Sequence, residues 1–399
     1  MDQSRHKKRR GVIIAGGSGY RLFGISTPDR PKQFCRLNDK DTFIQATVSR
    51  LNDLEVEPNR IMIVTTNQTQ SELAREQTVP MGVLSQNILE FSPHLDYAGS
   101  MVKAKEMIRA IDKDATIINT PSDQYIVANE SFKESINNAV SVAEHNGAAL
   151  LGVKIGDLVT AMGCGHATYD NSRPDQDGCF PVSGFIEKPS RDHADRLMRS
   201  DNSVCNTGIL VWRADYMADE LNSKRIGRNG LATDALMKKL IGLKVAVGRF
   251  PWHDCGTLKS FYEISKKSPN HKNASLGGGT FERIDCRRSL LYAEPGMELR
   301  VAGARDDAII FTIIKDRPAI IVARLDESQH VKTLAEDFLK HDDFLSEDFS
   351  FGARNNTVLC SNISDDLIAG FVGVENYATY VTKEPDGRLV AVVSQQKRR

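Results

Sequence analysis

Short apolar runs rich in β-branched residues alternate, over the first two thirds of the chain, with segments whose apolar residues recur at helical spacing. Short runs of this kind are typical of buried strands. They cover residues 11–15, 61–65, 115–119, 148–153, 183–186, 208–212 and 245–250. Alternating strands and helices predict an α/β domain over residues 11–268, with a Rossmann-like, mostly parallel sheet flanked by helices.

Three of the intervening segments carry clear helical stripes. Each is expected to bury its apolar stripe against the sheet. The stripes are Phe43, Thr47, Leu51 and Leu54; Met101, Ala104, Ile108 and Ile111; and Phe132, Ile136 and Val140. Asp41, just before the first stripe, is a suitable N-cap residue.

The pattern changes at residues 275–280, where Ser-Leu-Gly-Gly-Gly-Thr forms a candidate linker. Beyond it, strand-like runs dominate at 308–314, 319–323 and 357–393, with a single helical segment at 331–339. Similar sequences surround Gly303 and Gly373 and suggest a weak internal repeat. We therefore predict a smaller β-rich C-terminal domain at 280–399, with two weak repeats.

Charge and length exclude some classes of partner. The 399 residues include 52 Lys and Arg and 52 Asp and Glu, so the formal net charge is zero. A dedicated nucleic-acid-binding protein usually has a strong basic excess. Without an apolar run of about 18 residues, a membrane span is not expected. The basic residues 1–10 are predicted to form a disordered tail.

The seven cysteines show no CxxC spacing, so the sequence has no local signature of a zinc ribbon or a redox pair. His166, His193 and His253 likewise lack metal-binding spacing. We expect reduced thiols and a cytoplasmic location.

A glycine loop follows the first predicted strand, at Gly16-Gly17-Ser18-Gly19. The dinucleotide motif G-x-G-x-x-G fails because Leu22 occupies its last position, and the Gly-Lys pair of a P-loop is absent. Such a loop brings backbone N–H groups close to phosphates, and the cations Arg21 and Lys32 suit a triphosphate. The alternative is an ordinary strand-to-helix turn with solvated charges.

Two aspartates follow later strands. Asp123 and Asp254 are expected at the carboxyl edge of the sheet, where open α/β sheets bind ligands. Together they would hold one Mg²⁺, which prefers oxygen ligands. Each also suits the alternative role of a helix cap.

Two further segments suggest a sugar phosphate site. Glu187 is suited to accept hydrogen bonds from hydroxyls, and Lys188 is suited to bind a phosphate. Asn206 offers donors and an acceptor to a polyol. Taken singly, either segment is more often a plain turn.

Taken in order, these segments resemble the sugar-1-phosphate nucleotidylyltransferases, above all the mannose-1-phosphate guanylyltransferase family. The resemblance covers residues 11–265 and rests on five motifs in register. They are the glycine loop through Leu22 with Arg30-Pro31-Lys32-Gln33-Phe34, then Pro121-Ser122-Asp123, residues 185–189, Asn206-Thr207-Gly208 and residues 252–257.

The resemblance implies a nucleotide-diphospho-sugar transferase type of fold and a role for each matched residue. Catalysis would depend on Arg21, Lys32, Asp123 and Asp254, the two aspartates binding Mg²⁺. The implied nucleotide-binding residues are Ala15, Gly16, Gly17, Ser18, Gly19, Glu90 and Ser122. The implied sugar-phosphate-binding residues are Gly152, Gly163, Gly165, Glu187, Lys188, Asn206 and Thr207.

The implied reaction is Mg²⁺-dependent transfer of GMP from GTP to a sugar 1-phosphate, giving a GDP-sugar and pyrophosphate. The implied assembly is a homodimer. Three positions depart from the family: Tyr20 replaces Thr, Gln124 replaces His, and residues 90–97 lack an Arg-Asn-Thr motif. These departures leave two alternatives open, a different sugar or cyclitol phosphate and a non-catalytic, nucleotide-sugar-binding regulatory subunit.

Overall fold

The computed structural model describes most of the chain up to residue 302 and six strands beyond it. The described residues are 8–17, 22, 25–26, 30–37, 41–91, 95–172, 174–221, 233–284, 286–293, 297–302, 309–313, 319–324, 357–361, 368–372, 377–383 and 389–395. The predicted helix at 331–339 lies outside them. No helix among these residues is long and apolar enough to cross a membrane.

The chain divides into two compact units. The first comprises Met1–Gly17 and Phe43–Asp254, and the second comprises Ser18–Thr42 and Cys255–Arg399. The domain boundaries expected from the sequence, 11–268 and 280–399, stay predictions.

The first unit alternates strands and helices along the chain, as the sequence predicts. Its strands are β1 (Arg9–Ile14), β2 (Ile61–Thr65), β3 (Ile88–Glu90), β4 (Thr116–Pro121), β5 (Tyr125–Ile126), β6 (Ala148–Val153), β7 (His166–Tyr169), β8 (Phe180–Ile186), β9 (Ser203–Arg213), β10 (Lys244–Gly248) and β11 (Trp252–His253). Its α-helices are α1 (Phe43–Asn52), α2 (Gln68–Thr78), α3 (Tyr97–Ile111), α4 (Glu130–Glu144), α5 (Leu158–Gly163), α6 (Arg191–Arg199) and α7 (Thr233–Lys239).

Nine of these strands form one sheet in the order β3-β2-β1-β4-β9-β6-β10-β8-β7. Strands β3, β2, β1 and β4 are parallel neighbours, and so are β6 and β10. Strand β9 lies antiparallel between β4 and β6. The predicted α/β class is confirmed, and the reversed β9 brings its first residues to the carboxyl ends of both neighbours.

The predicted apolar stripes are buried with one exception. Met101, Ala104 and Ile108 of α3 join a core that surrounds the fully buried Trp212 of β9. Ile111, the last residue of the α3 stripe, is instead 71% exposed because the helix ends there. Burial, together with the nearby charge of Arg109, lowers the pKa of Lys105, which lies over the Trp212 ring, to about 8.

Two residues of the predicted basic tail belong to the sheet. Arg9 and Arg10 are the first residues of β1, which pairs with β4 from Arg9 onward. The Arg9 guanidinium donates hydrogen bonds to the Leu54 carbonyl at 3.0 Å and to Asn137 at 3.1 Å. These contacts extend β1 into the basic segment.

The second unit is rich in strands. It contains α8 (Leu258–Ile264), β12 (Ala274–Leu276), β13 (Thr280–Ile284), β14 (Leu290–Ala293), β15 (Met297–Ala302), β16 (Ile309–Ile313), β17 (Ala319–Arg324), β18 (Thr357–Ser361), β19 (Ile368–Val372), β20 (Tyr377–Lys383) and β21 (Leu389–Gln395). One sheet has the order β12-β14-β16-β17-β19-β18, and the other has the order β13-β15-β21-β20. From β12 to β16, successive strands alternate between the two sheets.

The candidate linker at 275–280 is the connection between β12 and β13. Gly277 and Gly278 both adopt positive φ there. A Cβ placed on Gly277 would lie 2.3 Å from the Ala293 carbonyl oxygen, so the turn requires glycine. The proposed repeat segments around residues 299–303 and 368–373 contain β15 and β19, which belong to different sheets.

The second unit also includes the early segment that carries Lys32. A short 3₁₀ helix, Lys32–Phe34, is buried, and Arg36 bridges to Thr42. The Cys35 thiol donates to the Ile25 carbonyl at 3.1 Å. Burial, with Cys35 close by, raises the pKa of Tyr292 to about 12, so this segment lies beside β14.

Candidate functional site

Asp123 and Asp254 flank the two strands of a short ladder. Strands β5 and β11 pair antiparallel, with Ile126 opposite Trp252 and Tyr125 opposite His253. Asp254 directly follows His253, and Asp123 precedes Tyr125 by two residues, so both aspartates lie at the same end of this ladder. Both carboxylates are half-buried. The ladder thus places the chain segments that bear two sequence-distant aspartates next to each other, and their sharing of one metal ion stays a prediction.

The ladder is tied to the start of β9 by Gln124. Its side chain is buried, and both ends of its amide are engaged. The Nε2 group donates to the Thr207 carbonyl at 2.7 Å, and Trp252 Nε1 donates to Oε1 at 3.0 Å. Gln124 therefore links the segment bearing the aspartates to the segment bearing Asn206 and Thr207.

Tyr97, the first residue of α3, contacts the same part of β9 from another side. Its hydroxyl donates to the Gly208 carbonyl at 2.8 Å. Burial, and secondarily the negative charge of Asp123, hold the pKa of Tyr97 well above its usual value, so the phenol remains a donor. Sequence reasoning missed this residue because its contact depends on the reversal of β9.

The Asn206-Thr207-Gly208 segment has its backbone and side chains held in place. Asn206 donates its N–H to the Gly165 carbonyl at 2.7 Å and accepts from the Gly208 N–H at 3.0 Å. The Thr207 hydroxyl donates to the Leu151 carbonyl at 3.0 Å. Gly208 has φ +78°, and a Cβ there would lie 2.9 Å from Pro121.

The donor set around the aspartates suits magnesium. Mg²⁺ is often bound by only one or two protein carboxylates, with phosphate and water oxygens completing its octahedron. Asp123 and Asp254 are the two carboxylates that would form such a pair. The described residues contain no group of three or more His, Cys, Asp or Glu placed to hold a metal. Two carboxylates fit a cation whose remaining ligands are phosphate and water oxygens.

The predicted sugar-phosphate residues Glu187 and Lys188 follow β8. Glu187 is half-buried, and this burial raises the pKa of its carboxyl group, while the charge of Lys188 opposes the rise. A Cβ placed on Gly165 would lie 2.7 Å from the Glu187 carboxylate and 2.6 Å from the Phe185 ring. Gly165 thus permits the close approach that brings Glu187 near Asn206.

The other two predicted pocket glycines have different surroundings. A Cβ placed on Gly163 would meet no atom within 4 Å. A Cβ on Gly152 would lie 2.3 Å from Val204 of β9 and 3.1 Å from Val245 of β10. Close packing of the sheet therefore accounts for Gly152, whose role in sugar binding stays a prediction.

The described part of the glycine loop lies at the end of β1. Ala15 donates its N–H to the Val64 carbonyl at 2.7 Å, and the Gly17 carbonyl accepts from Gln70 at 3.2 Å. Gly17 has φ +114°. Ser18, Gly19 and Arg21 lie outside the described residues.

Three further predicted residues can be located. Ser122 is buried, and its N–H donates to the Ile14 carbonyl at 3.2 Å beside the glycine loop. Glu90 is exposed at the end of β3. Lys32 is buried within the second unit.

Two cysteines contradict the expectation of reduced thiols. Cys164 and Cys205 form a disulfide, whereas Cys35, Cys179, Cys255 and Cys286 are buried and not disulfide-bonded. The expectation was wrong for this pair because it rested on local spacing, and the partners are 41 residues apart in the sequence. The disulfide joins the residues adjacent to Gly165 and Asn206.

His166 lies beside the disulfide and has a structural environment. It is buried, and its Nε2 lies 2.9 Å from the Ala161 carbonyl. Burial lowers the pKa of its imidazole, which favours the neutral form.

The sequence and fold place the protein in a known class of enzyme. A model of the nucleotidyl transferase family matches residues 10–271, and the chain belongs to this family. This membership confirms the resemblance noted in the sequence.

Relatives share most of the chain. Mannose-1-phosphate guanylyltransferase 2 of Escherichia coli O157:H7 is 24% identical over 359 residues, covering 82% of this chain and 72% of that protein. Mannose-1-phosphate guanylyltransferase of Sinorhizobium fredii is 25% identical over 355 residues, covering 82% and 67%. The crystal structure of mannose-1-phosphate geranyltransferase from Thermus thermophilus has a TM-score of 0.67 at 23% identity, covering 83% of this chain and 99% of that one. This last similarity supports the fold.

The disulfide leads to a direct chemical prediction. Alkylation of the unfolded, unreduced protein should leave Cys164 and Cys205 unmodified, and prior reduction should make both reactive. Peptide mapping by mass spectrometry measures this. Alkylation of Cys164 without reduction, in protein protected from reductants during purification, would contradict the pairing.

Proposed function

We propose that the protein transfers GMP from GTP to a mannose-1-phosphate-like sugar 1-phosphate, in a Mg²⁺-dependent reaction that gives a GDP-sugar and pyrophosphate. The observation that carries this proposal is that the segments next to Asp123 and Asp254 pair in one ladder, which Gln124 ties to Thr207 at the start of β9. The names of the relatives support the choice of base and sugar.

The chemistry asks for positioning more than for proton transfer. The phosphate of the sugar is already an anionic nucleophile, so an oxygen of that phosphate forms a bond to the α-phosphorus of GTP. The bond from the α-phosphorus to the bridging oxygen of the β-phosphate breaks, and pyrophosphate leaves with the electron pair. Two anions must meet in line while charge spreads over non-bridging oxygens, so binding and charge stabilisation supply the catalysis.

Different residues of the first unit would supply the binding and the charge stabilisation. Asp123 and Asp254 would hold Mg²⁺, which supplies positive charge for the phosphate oxygens. Glu187 and Asn206 would bind hydroxyls of the sugar, and Lys188 its phosphate. The half-buried setting of Glu187 strengthens a hydrogen bond to its ionised form, because the local dielectric constant is lower than that of water.

The remaining roles rest on the family resemblance. The backbone of Ala15, Gly16, Gly17, Ser18 and Gly19, together with Glu90 and Ser122, would bind the nucleotide. Arg21 and Lys32 would neutralise its phosphates. Gly152, Gly163, Gly165 and Thr207 would line the sugar pocket. The predicted homodimer and cytoplasmic location stay predictions.

Two alternatives differ from this proposal in their consequences. The departures at Tyr20, Gln124 and residues 90–97 favour a different sugar or cyclitol phosphate as the acceptor. A non-catalytic regulatory subunit would bind a nucleotide sugar without turnover. The presence of both Asp123 and Asp254, at the same end of one ladder, favours catalysis over the regulatory role.

A substrate matrix tests the proposal. Nucleoside triphosphates are combined with sugar and cyclitol 1-phosphates in the presence of Mg²⁺, and pyrophosphate release is measured. We expect the highest rate with GTP and mannose 1-phosphate. Turnover with another acceptor alone would support the first alternative, and nucleotide-sugar binding with no turnover in any combination would support the regulatory one.

Asp123→Asn and Asp254→Asn should each lower kcat by about 10²-fold or more, since each removes a charge that would hold the metal. The half-saturating Mg²⁺ concentration should rise in both variants. Asp215→Asn is the matched control, because Asp215 is an exposed partner of Arg109 beyond the opposite end of β9. Full activity of either site variant, with the control unchanged, would contradict the metal assignment.

The raised pKa of Glu187 predicts the pH dependence of sugar binding. Its carboxyl group should protonate at a higher pH than an ordinary glutamate, so KM for the sugar phosphate should rise as pH falls through this shifted pKa. Glu187→Gln should have a raised KM and lack this ionisation. The phosphate of the substrate also titrates, at about pH 6, but its ionisation affects the wild type and Glu187→Gln alike. If KM followed the same pH profile in the wild type and in Glu187→Gln, this would argue against contact between Glu187 and the sugar.

A further inference from the structure

We propose that Gln124 is a positioning residue that couples the two halves of the site. Through its side chain, the placement of the two aspartates depends on the placement of the Asn206-Thr207 segment, and the placement of that segment depends on the aspartates. The inference rests on the proposed function. In this inference, one buried side-chain amide aligns Asp123 and Asp254 with Asn206 and Thr207.

The contacts of Gln124 run to both sides of the site. It directly follows Asp123, so its backbone is continuous with one predicted metal ligand. Its Oε1 accepts from Trp252, two residues before the other predicted ligand, at 3.0 Å. Its Nε2 donates to the carbonyl of Thr207 at 2.7 Å. One side chain therefore joins three segments that are distant in sequence.

The ladder next to the aspartates is too short to fix its own position relative to β9. Strands β5 and β11 have two residues each, and the hydrogen bond from Val127 to the Pro251 carbonyl, at 3.1 Å, lies at the end of the ladder away from the aspartates. At the aspartate end, the bonds of Gln124 connect the ladder to the long central strand β9. Loss of these bonds would let the ladder shift relative to Asn206.

The burial of Gln124 makes its geometry specific. A buried amide that loses its partners leaves unpaired polar groups behind, so both hydrogen bonds are favoured in the folded state. Because the amide is planar, the direction of one bond constrains the direction of the other. A displacement of Thr207 is thereby transmitted to Trp252 and its strand.

A purely structural role for Gln124 is the competing explanation, and the chain offers a matched control for it. Asn119 of β4 is also a buried amide, and its Nδ2 donates to the Leu210 carbonyl of the same β9 at 3.1 Å. It touches neither β11 nor Thr207 in the described contacts. Asn119→Leu therefore removes a comparable hydrogen bond to β9 without breaking the link between the aspartates and Thr207.

The experiment compares the full-length wild type with Gln124→Met, Trp252→Phe and Asn119→Leu. Gln124→Met removes both hydrogen bonds at similar volume, and Trp252→Phe removes only the bond to the ladder. Three quantities are measured: kcat and KM for each substrate, Mn²⁺ affinity by electron paramagnetic resonance with a non-hydrolysable GTP analogue, and Tm.

Gln124→Met should weaken Mn²⁺ binding and raise KM for the sugar phosphate together, each by about 10-fold, in the range usual for residues that orient metal ligands. Trp252→Phe should weaken Mn²⁺ binding by a smaller factor. The combined variant should resemble Gln124→Met, because the two changes remove the same bond. Gln124→His, which keeps a donor and an acceptor, should recover part of both effects. Asn119→Leu should lower Tm and leave the Mn²⁺ affinity and KM unchanged.

The proposal is overturned if Gln124→Met lowers Tm as Asn119→Leu does while its Mn²⁺ affinity and KM remain those of the wild type. If Gln124→Met does not fold, Trp252→Phe decides, and unchanged Mn²⁺ affinity there also overturns it. A wild type without turnover would refute the proposed function, whereas the Mn²⁺ measurement would still test the coupling by itself.

Discussion

The site depends on the reversed direction of β9. Because this strand runs antiparallel between β4 and β6, its first residues lie at the carboxyl ends of both. Parallel neighbours there would have placed Asn206 at the opposite edge of the sheet, away from Asp123. The reversal therefore brings Asn206 and Thr207 to the edge of an α/β sheet where such folds bind ligands, near the ladder flanked by Asp123 and Asp254.

Holding two carboxylates together requires a compensating charge. Like charges at short range raise each other's free energy, and a divalent cation between them removes that penalty. At the half-buried Asp123 and Asp254, the Mg²⁺ of the proposed function would supply this charge. The surrounding glycines serve the same geometry: Gly208 and Gly165 permit contacts with Pro121 and Glu187 that a methyl group would prevent.

Covalent and hydrogen-bonded links reinforce the start of β9 from several directions. The Cys164–Cys205 disulfide joins the residues before Gly165 and Asn206, and the backbones of these two residues are themselves hydrogen-bonded. Tyr97 holds Gly208 from helix α3. The proposed reaction, which would bring two anions into line, would benefit from such rigidity, because misplacement of the reacting atoms by about 1 Å can cost about 10²-fold in rate.

The amino-acid pattern alone determined the alternation of strands and helices and the buried stripes other than Ile111. Local burial and backbone conformation leave a direct trace in composition and spacing, which is why these features were predictable. The antiparallel insertion of β9, the Cys164–Cys205 pairing and the bonds of Gln124 and Tyr97 were decided only by tertiary structure. Each joins segments far apart in the chain, and no local pattern specifies which distant residue a side chain will meet once the sheet has formed.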